Sequence, residues 1–165
     1  VKALKDYPNF NSSLDLKKEK LIYKKYFHVG IAMDTPHGLM VPKIRDADKK
    51  DITELGLEIK KIAKLCKDLK IDKKEFFGGS MTISSLGGIG GTHFTPIINP
   101  PEVAILGVGR TFDRLVKEKN QIVSKKILPI SLSYDHRLID GAEGARFCVY
   151  LGKCLGKDFA FKLAV

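Results

Sequence analysis

The sequence predicts an α/β fold, a two-layer sandwich in which a mixed β-sheet is covered by helices. Helical periodicity is confined to a few segments, whereas short apolar runs bounded by Gly, Pro and Asn recur along the chain. Both hairpin-length turns and helices separate the strand-like runs, which favours a sheet with parallel and antiparallel neighbours. The 165 residues suffice for one domain with a sizeable core.

The first half of the chain combines short strands with one long helix. The predicted elements, in order, are helix 1–7, strands 21–23, 27–33 and 39–41, helix 52–69 and a helical turn at 72–76. Residues 8–15 are expected to form a turn-rich connection. Apolar residues recur at three- and four-residue steps in the long helix, which indicates that one of its faces is buried.

The second half is dominated by strands and ends in a helix. The predicted elements are strands 81–84, 103–108, 110–117 and 122–133 and helix 142–155. Residues 85–99 form a long loop rich in Gly, Thr and Pro. The last strand is long and apolar, which suits a central position in the sheet. Asp140 is expected to cap the final helix, and Glu143 completes a capping-box pattern.

The composition argues against several classes of function. The net charge is +10, but the lysines occur in scattered pairs without a basic aromatic patch or a helix-turn-helix pattern, so no nucleic acid partner is predicted. No apolar run is long enough to span a bilayer, and no membrane association is predicted. Cys66, Cys148 and Cys154 lack metal-ligand spacing. The sequence therefore predicts no metal site and indicates a reducing compartment.

One heptad near the C-terminus is a candidate for catalysis. Residues 135–141 read DHRLIDG, directly after a strand-like run at residues 127–134. Histidine has an unperturbed pKa near neutrality, so His136 at a strand end suits a general base. Taken alone, such a histidine is more often a structural residue beside a helix N-cap, and Asp140 as that N-cap needs no further role.

The heptad and five further blocks resemble the dihydrolipoamide acyltransferases, the core subunits of 2-oxo acid dehydrogenase complexes. The short pattern His-x-x-x-Asp-Gly is shared with chloramphenicol acetyltransferase and is weak evidence by itself. The other blocks occur in the family's order and are residues 8–13 (PNFNSS), 35–42 (TPHGLMVP), 77–79 (FGG), 82–87 (TISSLG) and 98–107 (INPPEVAILG). This resemblance implies a chloramphenicol-acetyltransferase-like fold.

The resemblance also implies a reaction, the transfer of an acyl group between the thiols of dihydrolipoamide and coenzyme A. His136 is expected to take the proton of the attacking thiol and to return it to the departing sulfur. Ser84 occupies the position where the family places a hydroxyl that stabilises the oxyanion. Asp140 is implied to orient neighbouring groups through an ion pair, for which Arg137 is the candidate partner; Arg137 is also a tentative substrate-binding residue.

Two points stay open on the residues alone. On the residues alone, a serine at this strand end is interpreted as making a local turn hydrogen bond. Ser84 and Ser85 fit the role of oxyanion donor equally, and only the resemblance selects Ser84. The glycine-rich loop beginning at Gly87 and Gly88 matches neither a dinucleotide-binding nor a P-loop pattern. It is expected to let a narrow pantetheine arm approach the backbone, which makes Gly87 and Gly88 tentative substrate-binding residues. The remaining histidines are expected to be structural or exposed.

The resemblance extends to acyl specificity and partners. A serine at position 84, with the blocks at residues 9–13 and 91–96, is similar to the acetyl-specific branch that serves the pyruvate dehydrogenase complex. Alternatives are a succinyl- or branched-chain-specific relative, or a catalytically incomplete fragment that acts only as a structural core. Family members form trimers, in which the histidine of one subunit faces the serine position of its neighbour, and the trimers build a cage.

Several expectations concern the context of the chain. Residues 1–165 are expected to be the C-terminal part of a single catalytic domain, without its N-terminal part and without the lipoyl and subunit-binding domains. Coenzyme A is then a substrate, the lipoyl group is carried on a separate domain, and dehydrogenase partners bind through regions absent here. The expected location is the bacterial cytoplasm or the mitochondrial matrix. The apolar tail at residues 158–165 is expected to pack on its own domain or on another trimer.

Overall fold

A computed structural model describes residues 1–156 and Phe159. Most of the apolar tail at residues 158–165 therefore lies outside the described residues. The helices are α1 (Lys2–Asp6), α2 (Ile52–Lys67) and α3 (Gly141–Cys154), with 3-10 helices at Pro8–Asn11 and Lys73–Phe76. The strands are β1 (Ser12–Asp15), β2 (Lys20–Tyr23), β3 (Val29–Ile31), β4 (Met33–Thr35), β5 (Gly38–Met40), β6 (Lys43–Ile44), β7 (Met81–Ser85), β8 (Ala104–Val108), β9 (Phe112–Glu118), β10 (Gln121–Ile127) and β11 (Ile130–Tyr134).

The main sheet is mixed, as the sequence predicts. Its strand order is β11-β8-β7-β3-β6, and the three inner strands run parallel to one another. Both outer strands, β11 and β6, pair antiparallel with their neighbours. Three separate hairpins, β1–β2, β4–β5 and β9–β10, accompany this sheet. The predicted α/β class is therefore confirmed.

The position predicted for the last long strand is wrong. Residues 122–133 divide into β10, which pairs with β9 in a hairpin, and β11, which lies at an edge of the main sheet among the described strands. Pro129 separates the two strands. Because proline has no backbone N–H to give to a ladder, it interrupts the run and allows the chain to change sheets.

The N-terminal region also differs from the prediction. Residues 8–15, expected to be an irregular connection, contain a 3-10 helix and strand β1. The predicted strand at residues 27–33 is interrupted at Ala32, whose N–H donates to the carbonyl oxygen of Ile83 in β7. The long helix begins as expected, because Asp51 and Glu54 form a complete capping box.

The helices of the described chain pack on one face of the sheet. Leu4 of α1 and Phe147 of α3 share a buried cluster with Met81, whereas Ile62 and Cys66 of α2 pack near Val29. Val29 pairs directly with Met81, and directly paired residues point to the same face of a sheet. Both clusters therefore lie on the same side, as a two-layer sandwich requires.

The opposite face carries small and hydroxyl-bearing side chains. One row across the strands contains Gly30, Thr82, Ile105 and Ser133, and the next contains Ser84, Gly107 and Ser131. The serines of these rows are half-buried. This second face, named here the serine face, is the side of the sheet on which Ser84 lies.

Candidate active site

Local backbone hydrogen bonds form the turn that carries His136. The N–H of Asp135 donates to the carbonyl oxygen of Val103 at 2.8 Å, which ties the end of β11 to the segment entering β8. The carbonyl oxygen of Asp135 accepts from the N–H groups of Leu138 and Ile139 at 3.0 and 3.1 Å. Ile139 is fully buried and anchors the turn in the core. His136 is left exposed at this end of the sheet.

Asp135 and Arg137 flank His136 and pair with each other. The Nε of Arg137 lies 2.9 Å from Oδ1 of Asp135, and its terminal nitrogen lies 2.5 Å from Oδ2. Hydrogen bonds from the Arg137 side chain lower the pKa of Asp135. The expectation that Arg137 pairs with Asp140 is therefore wrong in this chain. Asp135 takes the guanidinium because the turn places both residues on the same side, two positions apart.

Asp140 caps α3, as the sequence predicts. Its Oδ1 accepts a hydrogen bond from the N–H of Glu143 at 2.7 Å. The predicted capping box is only half formed, because the carboxylate of Glu143 accepts two hydrogen bonds from Nδ2 of Asn9 at 3.0 Å. The hydroxyl of Tyr23 donates to Oδ1 of Asn9 at 2.9 Å. These contacts hold the N-terminal segment against the start of α3.

Helix α3 lies close to the strand that delivers His136. A Cβ atom on Gly144 would stand 2.8 Å from the ring of Tyr134, so the helix reaches this distance only because position 144 has no side chain. The ring of Tyr134 in turn lies 5.8 Å from that of His136, measured between centroids. The His136 ring makes no hydrogen bond within the described part of the chain.

Ser84 lies at the end of β7 on the serine face. It pairs with Gly107 of β8, and Ser85 projects from the opposite face because side chains alternate along a strand. A Cβ atom on Gly107 would stand 3.0 Å from the ring of Phe94, so this ring covers Gly107 beside Ser84. Sequence reasoning missed Phe94 because it lies in an irregular loop with no periodic signal. The Ser84 hydroxyl has no hydrogen bond to the described residues.

Ser84 and His136 lie at opposite ends of the sheet. Ser84 is level with Gly107 and Ser131, whereas β11 ends at Tyr134, level with Ala104. Ser84 and the end of β11 are offset by three residues along the strands and by two strand spacings across the sheet, and each offset is about 10 Å. Ser84 therefore lies on the order of 15 Å from the His136 turn. This distance is far beyond hydrogen-bond reach, so one chain does not bring the two side chains together.

Of the two tentative substrate-binding glycines, Gly87 and Gly88, only Gly87 is required by the packing of the backbone. A Cβ atom on Gly87 would lie 2.9 Å from the carbonyl oxygen of Gly109, so a close backbone approach accounts for this glycine. Gly88 faces open space. The geometry neither requires nor excludes a ligand at these positions, and their substrate-binding role stays a prediction.

An open cavity of about 310 Å³ adjoins the His136 turn. Its walls are apolar residues from segments 14–16 and 98–103, with the Asp135–Arg137 pair at one side. Leu16 is largely exposed on this wall. Such a cavity offers apolar contact and one guanidinium to a narrow chain-like ligand.

The other three histidines are structural or exposed, as expected. Nδ1 of His28 accepts a hydrogen bond from the N–H of Asp46 at 3.0 Å, and its ring stacks on Tyr26. Burial lowers the pKa of His28. His37 and His93 are exposed.

The described residues contain neither a cluster of metal-ligating side chains nor a membrane-spanning helix. No cluster of three or more His, Cys, Asp or Glu side chains that could hold a metal ion is found among them. In the same residues, no helix combines the length and the apolar character needed to cross a bilayer.

Comparison with known proteins identifies the family. Residues 1–160 match the model of the 2-oxoacid dehydrogenases acyltransferase catalytic domain. This chain belongs to that family. A curated member from Cupriavidus necator, the dihydrolipoyllysine-residue acetyltransferase component of the pyruvate dehydrogenase complex, is 54% identical over 159 residues. A protein of the same name from Haemophilus influenzae is 51% identical over 155 residues.

The match to the Cupriavidus protein covers 96% of this chain but only 28% of that protein. The match to the Haemophilus protein covers 94% of this chain and 27% of that protein. The chain therefore spans little more than a quarter of these curated relatives. Among solved structures, the dihydrolipoamide acetyltransferase of Azotobacter vinelandii superposes with a TM-score of 0.91 at 47% identity, over 98% of this chain and 66% of that one. Chloramphenicol acetyltransferase superposes with a TM-score of 0.56 at 15% identity, which confirms the predicted fold alone.

Proposed function

We propose that this chain is catalytic-domain sequence of a dihydrolipoamide acetyltransferase, which moves an acetyl group between dihydrolipoamide and coenzyme A in a pyruvate dehydrogenase complex. Membership of the acyltransferase family supports the class of reaction. The names of the Cupriavidus and Haemophilus relatives support the acetyl group. The succinyl- and branched-chain-specific alternatives receive no such support from these relatives.

The spacing of three residues carries the assignment of roles. The work on the Azotobacter structure concerned one serine, one histidine and one asparagine in the catalytic mechanism of that enzyme. Its serine precedes the histidine by 52 positions, and its asparagine follows the histidine by four. Ser84, His136 and Asp140 have the same spacing in this chain. The 52-residue interval supports Ser84 over Ser85, and this chain has a carboxylate where that enzyme has an amide.

The reaction follows from the chemistry of these side chains. His136 accepts the proton of the coenzyme A thiol as its sulfur attacks the carbonyl carbon of acetyl-dihydrolipoamide. The Ser84 hydroxyl donates to the oxyanion of the tetrahedral intermediate. The bond between that carbon and the dihydrolipoamide sulfur then breaks, and the sulfur takes the proton from His136. The products are acetyl-coenzyme A and dihydrolipoamide. The cavity beside His136 suits the aliphatic arm of either thiol.

The distance between Ser84 and His136 supports a site shared by two copies of the chain. Since the two residues lie at opposite ends of one sheet, the histidine of one subunit reaches the serine of the next only across an interface. Closed cyclic symmetry then repeats the site at every interface. A homotrimer fits this arrangement, and the half-buried serines of the serine face offer a surface for the neighbouring copy.

The β9–β10 hairpin offers a second surface for assembly. Its Leu115 and Ile122 are 72% and 74% exposed, and an isolated two-stranded hairpin is marginal in water unless something packs on it. A neighbouring copy would cover these side chains.

The larger assembly and its surroundings are part of the proposal. Another solved relative, 46% identical with a TM-score of 0.91, is the cubic core of a pyruvate dehydrogenase multienzyme complex. We extend this to a cage of trimers that receives acetyl groups from a lipoyl domain and binds dehydrogenase partners through other regions. The three free cysteines fit a reducing compartment, the bacterial cytoplasm or the mitochondrial matrix.

Mixing two inactive variants tests the shared site. His136→Ala and Ser84→Ala are each expected to lower the acetyl transfer rate of the native full-length polypeptide by about 10²-fold or more. Random trimers of the two variants should recover about a quarter of the native rate, because one interface in four on average pairs an intact histidine with an intact serine. The control mixes His136→Ala with the double variant His136→Ala/Ser84→Ala and should recover nothing.

The same experiment separates the alternatives. No recovery in the first mixture would contradict a site shared between subunits. A native protein that assembles but transfers no acetyl group to coenzyme A would identify it as a structural core alone. Faster transfer of a succinyl or branched-chain acyl group would reassign the substrate and leave the site unchanged.

A further inference from the structure

A buried ion pair on the serine face consists of two residues that have no role in the reaction described above. The Nζ of Lys43 lies 2.5 Å from Oε1 of Glu102, and both side chains are only 1% exposed. The hydroxyl of Thr82, which is also fully buried, donates to the other carboxylate oxygen of Glu102 at 2.6 Å. Lys43 Nζ further lies 3.4 Å from that hydroxyl. Three strands or their entry segments therefore meet in one polar cluster.

Two glycines make room for this cluster. Lys43 of β6 pairs with Gly30 of β3, and Gly30 pairs on its other side with Thr82 of β7. A Cβ atom on Gly30 would stand 2.5 Å from the Thr82 hydroxyl and 2.7 Å from Lys43 Nζ. The lysine thus crosses β3 through space that position 30 leaves open. A Cβ atom on Gly79 would stand only 2.1 Å from Oε1 of Glu102.

Stability alone does not explain such a pair. Removing two charges from water is unfavourable, and replacing a buried ion pair with well-packed neutral side chains is often neutral or stabilising. The carboxylate of Glu102 instead fixes geometry, because each of its oxygens is bound by a different strand.

The cluster is connected to both ends of the sheet. Thr82 lies two residues before Ser84 on the same face of β7. Glu102 adjoins Val103, whose carbonyl oxygen accepts the hydrogen bond from the N–H of Asp135 at the start of the His136 turn. Glu102 also lines the cavity beside that turn. Glu102 is therefore next in sequence to the residue that supports the His136 turn, and it is hydrogen-bonded to a residue two positions before Ser84.

We infer that the Lys43–Glu102 pair positions both halves of the proposed site, holding the Ser84 strand end through Thr82 and the His136 turn through Val103. This inference rests on the proposed function. Lys43 and Glu102 touch no reacting atom in this scheme, so they are positioning residues. Misplacement of reacting groups by about 1 Å can lower the rate by about 10²-fold, and an interaction needed only in the transition state affects kcat and not substrate affinity.

A charge-free double variant, Lys43→Met/Glu102→Gln, tests the inference in the native full-length protein. Its side chains have nearly the same size, and the Gln carbonyl can still accept from Thr82. We expect a folded protein whose kcat falls by at least about 10-fold while KM changes by less than about threefold. The amides of Leu86 and Asp135, which donate to the carbonyl oxygens of Val108 and Val103, should exchange with solvent at least about 10-fold faster.

A matched control removes a different ion pair. Lys50 and Glu58 also form a salt bridge, but their side chains are each 26% exposed; Glu58 lies on α2 and Lys50 just before this helix. Lys50→Met/Glu58→Gln should leave kcat and both amides unchanged. Native kcat and native protection of both amides in the buried-pair variant would overturn the inference.

A second variant tests the positioning role if the double variant does not fold. Thr82→Val keeps the side-chain shape and removes only the hydroxyl that links Glu102 to β7. It should lower kcat and the protection of Leu86 while leaving the amide of Asp135 protected; unchanged kcat and Leu86 protection would overturn the inference. If the native protein transfers no acetyl group, the proposed function fails, and the exchange rates of the two amides still test whether the pair holds them.

Discussion

The two ends of the main sheet support their candidate catalytic residues in different ways. At the His136 end, a seven-residue segment supplies most of its own contacts: Arg137 pairs with Asp135, Asp140 caps α3, and Ile139 anchors the turn. Ser84 is instead supported by residues far apart in sequence. Lys43 and Glu102 meet Thr82, two residues before Ser84 on β7, and Phe94 covers the glycine that pairs with Ser84.

The comparison shows what each end needs from the rest of the molecule. The His136 turn is largely exposed and its ion pair is open to solvent, so its geometry depends on local backbone bonds. The strand that carries Ser84 is held, two residues before Ser84, by buried charges, whose interactions are stronger in a medium of low dielectric constant but costly to leave unpaired. Substitutions at the two ends should therefore differ in how far they separate activity from stability.

The largest effect is expected at Ser84. Ser84→Ala should lower kcat by about 10²-fold or more with little change in KM, because an oxyanion donor acts mainly in the transition state. Ser85→Ala is the matched control, since Ser85 projects from the opposite face. Steady-state kinetics with coenzyme A as the varied substrate measures both. Loss of activity in Ser85→Ala alone would reverse the assignment.

An intermediate effect is expected at Asp140. Asp140→Ala removes the N-cap of α3, which should destabilise the protein by about 1 kcal/mol and lower kcat by loosening the turn that carries His136. Asp140→Asn should keep a near-native stability and a near-native kcat, because asparagine is an equally good cap and the Azotobacter enzyme has asparagine at this spacing.

Melting temperature and kcat are measured together for the two Asp140 variants. The two measurements distinguish the contribution of the N-cap hydrogen bond from that of the negative charge. A large loss of kcat in Asp140→Asn at an unchanged melting temperature would show that the negative charge itself takes part in catalysis.

The smallest effect concerns the pH dependence of stability around Lys24, whose ammonium contacts the segment entering β7. Burial, followed by the neighbouring charge of Lys43, lowers the pKa of Lys24 to about 8, although Glu102 opposes this shift. The ammonium donates to the carbonyl oxygens of Ser12 and Gly79. Between about pH 8 and pH 10 the unfolded chain binds more protons at Lys24 than the folded chain does. Its contribution to the free energy of unfolding therefore rises with pH, by about 1 kcal/mol per pH unit or less.

Urea titrations at pH 7.5 and 9.5 measure this effect. The stability of the native protein relative to Lys24→Met should increase between the two values. Lys18→Met removes an exposed lysine and serves as the control. A relative stability that falls as the pH rises would contradict the assignment.

Much of the site was predictable because its signals are local. The capped start of α3, the turn after β11 and the exposed His136 all arise within a short stretch of sequence, where turn and capping chemistry act. The partner of Arg137 was not predicted correctly, because two acidic residues lie within reach in the sequence and only the fold of the turn selects Asp135.

The class of fold, the family and the candidate reacting residues were predictable from the sequence alone, since periodicity, caps and motifs are properties of short segments. The tertiary structure decided the order of the strands, and hence that β11 lies at an edge and runs antiparallel to β8. That antiparallel pairing separates His136 from Ser84. The approach of Lys43 across Gly30 to Glu102 likewise depends on the tertiary structure. Contacts between residues distant in sequence depend on which strands become neighbours, and no local pattern specifies this.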